Sequence, residues 1–258
     1  MIKMTLHLFG YDLRAFLRNR QSQFFTLALP VVFLVIFASV FGGSRNTTQV
    51  AGGQISTSVY YVPGITAFGV IAACFGNMVA SVTAQRERGV LKRRRATPVP
   101  AAALIAGRAG TAIVIAAVMA AVLLGIGWAA YGAHVPGRTA LAFAVTVVIG
   151  AASFCCLGYA LASLVRSEDA ALPASMALTL PLYFISGVFV AASVLPHWLA
   201  DAGEIFPVRH LADALLVAYN PHTAGLGFAG MDLLIVAIWG IAGLLVAIRT
   251  HRWLPLGR

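Results

Sequence analysis

The chain has 258 residues, 60% of them hydrophobic and 10% charged, with a net charge of +10 and a mean hydropathy of +0.89. Soluble domains carry about a quarter charged residues, so this composition excludes an ordinary globular protein and specifies a polytopic membrane protein. The basic residues flank apolar stretches, which reads as topology and attraction to anionic lipid headgroups and excludes nucleic-acid binding.

At the N-terminus Ile2, Leu6, Phe9, Leu13, Phe16 and Leu17 recur at three-to-four-residue spacing, while Lys3, His7, Asp12, Arg14 and Arg18 occupy other faces. Residues 1–23 are therefore expected as an amphipathic helix lying along the cytoplasmic headgroup layer and joined to the first span near Arg20 to Gln23. Two roles fit it: a lipid anchor, or a lever that also touches a cytoplasmic partner.

Residues 24–258 are expected to form the transmembrane domain. An apolar run of about 20 residues crosses the hydrocarbon core as a helix, and the alternation of membrane strands is absent, so the fold class is all-α. Six runs qualify: Phe24 to Gly42, Val59 to Thr83, Leu104 to Tyr131, Thr139 to Val165, Ala171 to Ala191 and Phe228 to Ile248. With six spans, fifteen of the eighteen Lys and Arg residues fall on one side and only Arg45, Arg138 and Arg209 on the other. Both termini and the Arg-rich loop at 84–103 are then cytoplasmic, as for a multi-pass protein of a bacterial inner membrane. A cleavable signal peptide is not expected at the first span, because its removal would break this even topology.

Ionisable side chains are nearly missing from the spans, which argues against a proton- or sodium-coupled carrier. Small residues stand there instead: Gly69, Ala73, Gly76, Asn77 and Ala80 in the second span, Gly150, Ser153 and Gly158 in the fourth, and Ser175, Thr179, Ser186 and Gly187 with Pro173 and Pro181 in the fifth. They allow close helix approach, either within the chain or at a partner face or substrate path, for which Gly69, Ala73, Asn77, Thr179 and Ser186 are the candidates. Cys74, Cys155 and Cys156 read as buried small hydrophobes.

The segment 191–227 is too long for a turn and too apolar for a solvated loop. Pro196 and Pro207 suit first helical turns, Gly203 separates two short helices, and Arg209 with Asp213 has the spacing of a helical ion pair. Such a re-entrant hairpin dips into the outer leaflet where protein covers it. His197, Asp201, Glu204, His210 and Asp213 lack the paired spacing of a metal motif, so no metal site is expected.

The two lysines, Lys3 and Lys92, are not preceded by Gly. No phosphate-cradling Gly-Lys-Ser/Thr loop is possible, and no nucleophile elbow or zinc-helix motif supports an enzyme. The chain is expected to hold no cofactor, so ATP-driven work would need ATP and magnesium on another subunit.

The six-span layout, the loop Arg-Glu-Arg-Gly-Val-Leu-Lys-Arg-Arg-Arg-Ala-Thr-Pro-Val (86–99) with Gly107 and Arg108, Ile-Ser-Gly-Val-Phe (185–189), Leu-Pro-His-Trp-Leu (195–199) and Phe-Pro-Val-Arg-His-Leu-Ala-Asp-Ala-Leu (206–215) resemble the type-2 ABC transporter permease family, which includes bacterial drug-resistance and polysaccharide exporters. Val90 stands where that family often has Thr. The resemblance implies a permease subunit paired with a cassette ATPase and with a second permease copy, identical or a sister chain. It implies that Glu87, Arg88, Gly89, Leu91 and Lys92 belong to the helix that docks on the ATPase, and that Leu195, Trp198, Phe206, Arg209 and Asp213 belong to the cap over the outer exit. An apolar path suits an amphipathic or lipid-like cargo. Two other readings stay open: a membrane sensor or assembly partner without transport of its own, and a secondary carrier, which would need embedded charge or an inverted repeat.

Overall fold

A computed structural model of the chain describes residues 2–18, 20–42, 47–50, 53–89, 101–190 and 194–250. The expected coupling residues Leu91 and Lys92, the run Arg93 to Arg95, Arg45, Ala191 and the tail arginines Arg252 and Arg258 lie outside the described residues.

The described chain is nearly all helix. Helix α1 (Ile2–Arg18) is followed by α2 (Arg20–Gln23), a π-helical turn (Phe24–Ala28) and α3 (Leu29–Phe41), so the link near Arg20 is itself helical. A two-stranded antiparallel hairpin that the hydropathy pattern did not announce comes next, β1 (Thr47–Val50) with β2 (Gly53–Ser56), pairing Thr47 with Ser56 and Val50 with Gly53. Thr and Val at 47–50 suit a pleated edge, and the strands are too short to register in a 20-residue window.

Helix α4 (Thr57–Ile71), a π turn (Ala72–Gly76) and α5 (Asn77–Glu87) form one continuous rod, followed by α6 (Ala101–Tyr131), α7 (Ala140–Leu164), α8 (Glu168–Ile185), α9 (His197–Gly203), α10 (Pro207–Tyr219) and α11 (Gly230–Thr250). Among the described residues four helices are long and apolar enough to cross a membrane, Thr57–Glu87, Gly107–Tyr131, Ala140–Leu164 and Gly230–Thr250, with Thr26–Phe41 a shorter apolar helix. The fifth expected span differs. Its helix starts at Glu168 and stops at Ile185 after 18 residues, because Gly187 turns the chain with φ +78°.

The α4–α5 rod is the axis of the fold. Val62, Ile65, Val70, Ile71, Cys74 and Val79 are fully buried in it, and α3, α6, α7 and α10 pack around it. Outward faces are apolar too: Val32, Ile36, Leu141, Val148, Ile238 and Ile241 are exposed. Helices that are hydrophobic all round belong in a lipid solvent, which makes this a multi-pass membrane protein.

Small residues set the closest approaches. A Cβ at Gly240 would lie 2.8 Å from Cα of Ser153, and one at Gly158 2.7 Å from the carbonyl oxygen of Phe75, so α11, α7 and the α4–α5 rod meet backbone to backbone. The turn at Gly187 sends Phe189 back into an aromatic cluster. Its ring lies 5.4 Å from Phe33, 5.2 Å from Phe37 and 5.4 Å from Phe68, while Phe68 meets Tyr183 edge-on at 5.0 Å. Tyr60 donates its hydroxyl to the Gly187 carbonyl at 3.2 Å. Aromatic pairs of this geometry contribute roughly 1 kcal/mol each beyond area burial, so the Ile185 to Phe189 motif ties α3, α4 and α8 together.

Candidate functional site

The polar groups gather at two ends of the bundle. At one end the α4–α5 rod stops at Glu87, Arg88 follows it with φ −72° and ψ 5°, and Gly89 takes φ +66°. Arg86 projects to the buried side with Val79, Val82 and Thr83, as its helical spacing from them dictates, and is 2% exposed. Its guanidinium donates to three backbone carbonyls: Nη1 to Ala162 at 2.9 Å, Nη2 to Arg166 at 3.3 Å and Nη2 to Val165. These belong to the last turn of α7 and the residues just after it, where helix geometry leaves carbonyls without intrahelical donors and the dipole favours a cation. Arg86 therefore caps α7 from another helix.

Arg88 reaches the next element. Its Nη2 pairs with Glu168 Oε1 at 2.7 Å, with both side chains well exposed, so the pair contributes little to stability and mainly fixes geometry. Glu168 and Asp169 open α8, where Ser167 accepts from the Ala170 N–H at 3.2 Å, an N-cap with acidic first-turn residues. On the opposite flank Arg108 of α6 donates to Gln85 Oε1, and its Nε lies 3.8 Å from Asp12 Oδ2 of α1. Residues 85–88 thus hold α1, α6, α7 and α8 through three side chains. Glu87 itself is exposed.

The other polar group joins α10 to α11. Arg209 and Asp213 form the ion pair that their spacing predicts, at 2.6 Å. Burial pushes the Asp213 carboxyl above its ordinary range while Arg209 opposes that rise. His210 carries the cross-link: Nδ1 meets Asp232 Oδ1 at 2.7 Å and Nε2 meets the Glu204 carbonyl at 2.8 Å. Trp239 Nε1 donates to the Ile205 carbonyl at 3.2 Å, and its ring stacks on Phe206. Of the expected outer residues, Phe206, Arg209 and Asp213 share this locus, Leu195 is half-buried, and Trp198 is 71% exposed.

The small-residue candidates lie apart. A Cβ at Gly69 would meet Met119 of α6 at 2.6 Å, so Gly69 serves a contact inside the chain. Ala73 is buried; Asn77 Nδ2 donates to Thr26 at 3.2 Å and to the Ala73 carbonyl at 3.1 Å. Thr179 back-bonds to the Ser175 carbonyl at 2.9 Å, and Ser186 is fully buried at the end of α8.

Arg86 and Arg108 were legible as charge and His210 as a polar side chain, but none of them as a cross-link. For Arg86 a signal existed, since it continues the stripe Val79, Val82, Thr83. Nothing in the sequence pairs His210 with Asp232, which is 22 residues away on another helix.

A mostly helical multi-pass membrane protein, with a charged cluster at residues 85–88 and another joining α10 to α11, is the class this architecture defines. A family model described as ABC-2 type transporter matches residues 5–220, and the chain belongs to that family. It is similar to the "Probable multidrug ABC transporter permease YbhR" of Escherichia coli K12, 28% identical over 159 residues, which cover 62% of this chain and 41% of that protein. It is also similar to the "Daunorubicin resistance ABC transporter permease protein DrrB1" of Streptomyces coeruleorubidus, 26% identical over 213 residues, covering 81% of this chain and 72% of that one. The chain spans about two fifths of the length of the YbhR relatives.

Proposed function

We propose that the chain is the membrane-spanning permease subunit of an ATP-binding-cassette exporter. It moves an amphipathic or lipid-like compound outward, and a separate subunit binds and hydrolyses the ATP. The names of its relatives, one for multidrug transport and one for daunorubicin resistance, support a drug-like cargo and a role in antibiotic resistance. In this reading α3 and α8 complete six spans, α1 lies along the cytoplasmic headgroups, α9 and α10 form the re-entrant cap over the exit, and both termini are cytoplasmic. Two permease subunits form one translocation unit.

The observation that carries this reading is the cross-linked corner at Gln85 to Arg88. A cassette subunit pressing on residues 87–92 moves the end of the α4–α5 rod. Arg86 hands that displacement to the end of α7, Arg88 to the start of α8, and Gln85 with Arg108 to α6 and α1. Packed interfaces respond to such a push by rigid-body shifts rather than gradual deformation. The sequence suggested transmission into the third span alone; the contacts of Arg86 and Arg88 add a second route through residues 162–168.

The test is co-purification of the full chain with a cassette ATPase from the native membrane, followed by ATPase and efflux measurements in vesicles. Arg88→Glu combined with Arg93→Glu and Arg94→Glu is expected to abolish assembly or stimulated ATPase activity. Absence of any cassette subunit, or unchanged activity in the triple variant, overturns the coupling assignment. An associated ATPase without export of any amphipathic dye favours a sensor or assembly role.

A further inference from the structure

Two π-helical turns, Phe24–Ala28 before α3 and Ala72–Gly76 between α4 and α5, are joined by one side chain. Turns of this kind are rare, occur singly inside α-helices and recur at functional sites. The first has a visible cause. Pro30 has no N–H to offer the Thr26 carbonyl four residues back, and its ring crowds that oxygen, so the helix widens ahead of it.

The second turn contains no proline and depends on Asn77. The Asn77 backbone N–H points to the Ala72 and Cys74 carbonyls and passes over Ala73, the partner an α-helix would give it. Asn77 Nδ2 takes that place, donating to the Ala73 carbonyl at 3.1 Å. Because a carbonyl only accepts, this bond fixes which end of the amide is nitrogen. The other amide proton goes to Thr26 Oγ1 at 3.2 Å, in the middle of the first turn, where Thr26 is 6% exposed. One amide therefore completes one π turn and ties it to the other, at a depth where an unmade hydrogen bond is costly.

The surroundings give the second turn both a bearing and room. The Phe75 carbonyl rests against Gly158 of α7, where a Cβ would come within 2.7 Å of it. A cavity of about 410 Å³ between α1, the α4–α5 rod and α6 is lined in part by Ala73, Cys74, Asn77 and Met78, and a Cβ at Gly76 would meet nothing within 4 Å. Before the turn, α4 is buried at every residue from Tyr60 to Ile71; after it, α5 carries the Gln85 to Arg88 corner.

We propose that the two π turns form one hinge, pinned by the Asn77 amide, about which α5 swings relative to α4. The buried α4 stays fixed, the cavity supplies the space, and the bond to Thr26 keeps the first apolar helix in step. A swing of about 20° carries the end of α5, about 16 Å from the turn, through about 6 Å. Asn77 is a positioning residue: its side chain is required while the π turn stands and is superfluous once Ala73 regains a backbone donor. The use of this hinge in transport rests on the exporter reading; the hinge itself does not.

The test uses the full chain in lipid nanodiscs, with its three cysteines replaced by alanine and nitroxide labels at Glu87→Cys on α5 and Ile238→Cys on α11, both exposed positions. Pulsed electron–electron resonance reads the distance between them. Asn77→Leu and Thr26→Val are expected to broaden the distribution by about 6 Å, the swing derived above. Deletion of Ala73 removes the extra residue of the π turn, so it is expected to leave a folded chain with a narrower distribution, in which Asn77→Leu has no further effect. Deletion of Ala67, within regular helix, is expected to abolish folding, because it rotates everything beyond it by about 100°. The proposal is overturned if deletion of Ala73 is as disruptive as deletion of Ala67, or if Asn77→Leu and Thr26→Val both keep the original distribution. Equal broadening by Asn77→Leu with and without Ala73 also overturns it, since that makes the amide an ordinary helix-to-helix bond. Should neither substitution variant fold, the pair of deletions decides alone. None of these readouts involves ATP, so this outcome is separate from that of the exporter reading.

Discussion

Arg86 is the residue on which the corner at Gln85 to Arg88 turns. It is buried with backbone carbonyls as its hydrogen-bond partners, and what makes that tolerable is the row of carbonyls at the end of α7. Arg86→Ala removes the donors to three carbonyls and is expected to cost about 3 kcal/mol, whereas Arg86→Lys keeps the charge with fewer donors and is expected to cost about half of that. Unfolding titrations in mixed micelles read both. Equal losses would show that the fork geometry of Arg carries the whole effect and that charge alone contributes nothing; no loss in Arg86→Lys would show the reverse.

A second residue-scale prediction concerns His134, between α6 and α7, whose ring lies 4.7 Å from that of Tyr219. Burial lowers its pKa, against a smaller opposing effect of a backbone hydrogen bond with Tyr219. The folded chain therefore binds this proton less readily than the unfolded one. Stability from the site is complete above the ordinary histidine range near 6.5 and declines as pH falls through the depressed value. Melting temperature is expected to fall between pH 8 and pH 5, and His134→Gln is expected to shrink that fall. An unchanged pH slope in the variant would remove His134 from the account.

Among elements, the contact of α7 with α11 depends on missing side chains. A Cβ at Gly243 would lie 2.9 Å from the Leu157 nitrogen and 3.0 Å from its Cα, and backbone does not yield as a flexible side chain does. Gly243→Ala is expected to cost about 1 to 3 kcal/mol by forcing these helices apart. Gly125→Ala in α6, where a Cβ meets nothing within 4 Å, is the contrast: it is expected to be neutral or to stabilise by up to about 1 kcal/mol through helix propensity. Thermal denaturation of the two variants side by side makes the comparison. Composition marked both positions simply as glycine in an apolar run, because the sequence carries no record of which face meets a neighbour.

Element boundaries show the same division. The expected runs Leu104 to Tyr131 and Thr139 to Val165 correspond closely to helices Ala101–Tyr131 and Ala140–Leu164, since hydropathy and length are local properties. The fifth run is shorter than hydropathy suggested, because a glycine turn and the aromatic packing of Phe189 redirect the chain after Ile185. The π turns at Phe24–Ala28 and Ala72–Gly76 left no mark in the periodicity, as a one-residue slip shifts the apolar stripe of a helix that is apolar all round without interrupting it.

For the whole molecule the decisive prediction is topological. In a variant lacking Cys74, Cys155 and Cys156, Thr48→Cys in the hairpin is expected to react with a membrane-impermeant maleimide from outside intact cells. Glu87→Cys is expected to react only after permeabilisation. The reverse pattern would invert the orientation drawn from the arginines and remove the corner from reach of a cytoplasmic ATPase.

The sequence by itself determined that this protein lives in a membrane, that its spans are helical, which ends carry charge, and which family it belongs to. Each of those follows from composition, run length or a contiguous motif, all of which are local. Only the tertiary structure decided that Arg86 caps a helix 76 residues away, that His210 is tied to Asp232, and that Asp12 and Asn77 face one cavity. In an apolar chain any helix face can bury equally well, so hydrophobicity does not choose the neighbours. Close packing of small residues and the few hydrogen bonds that must be made away from water choose them.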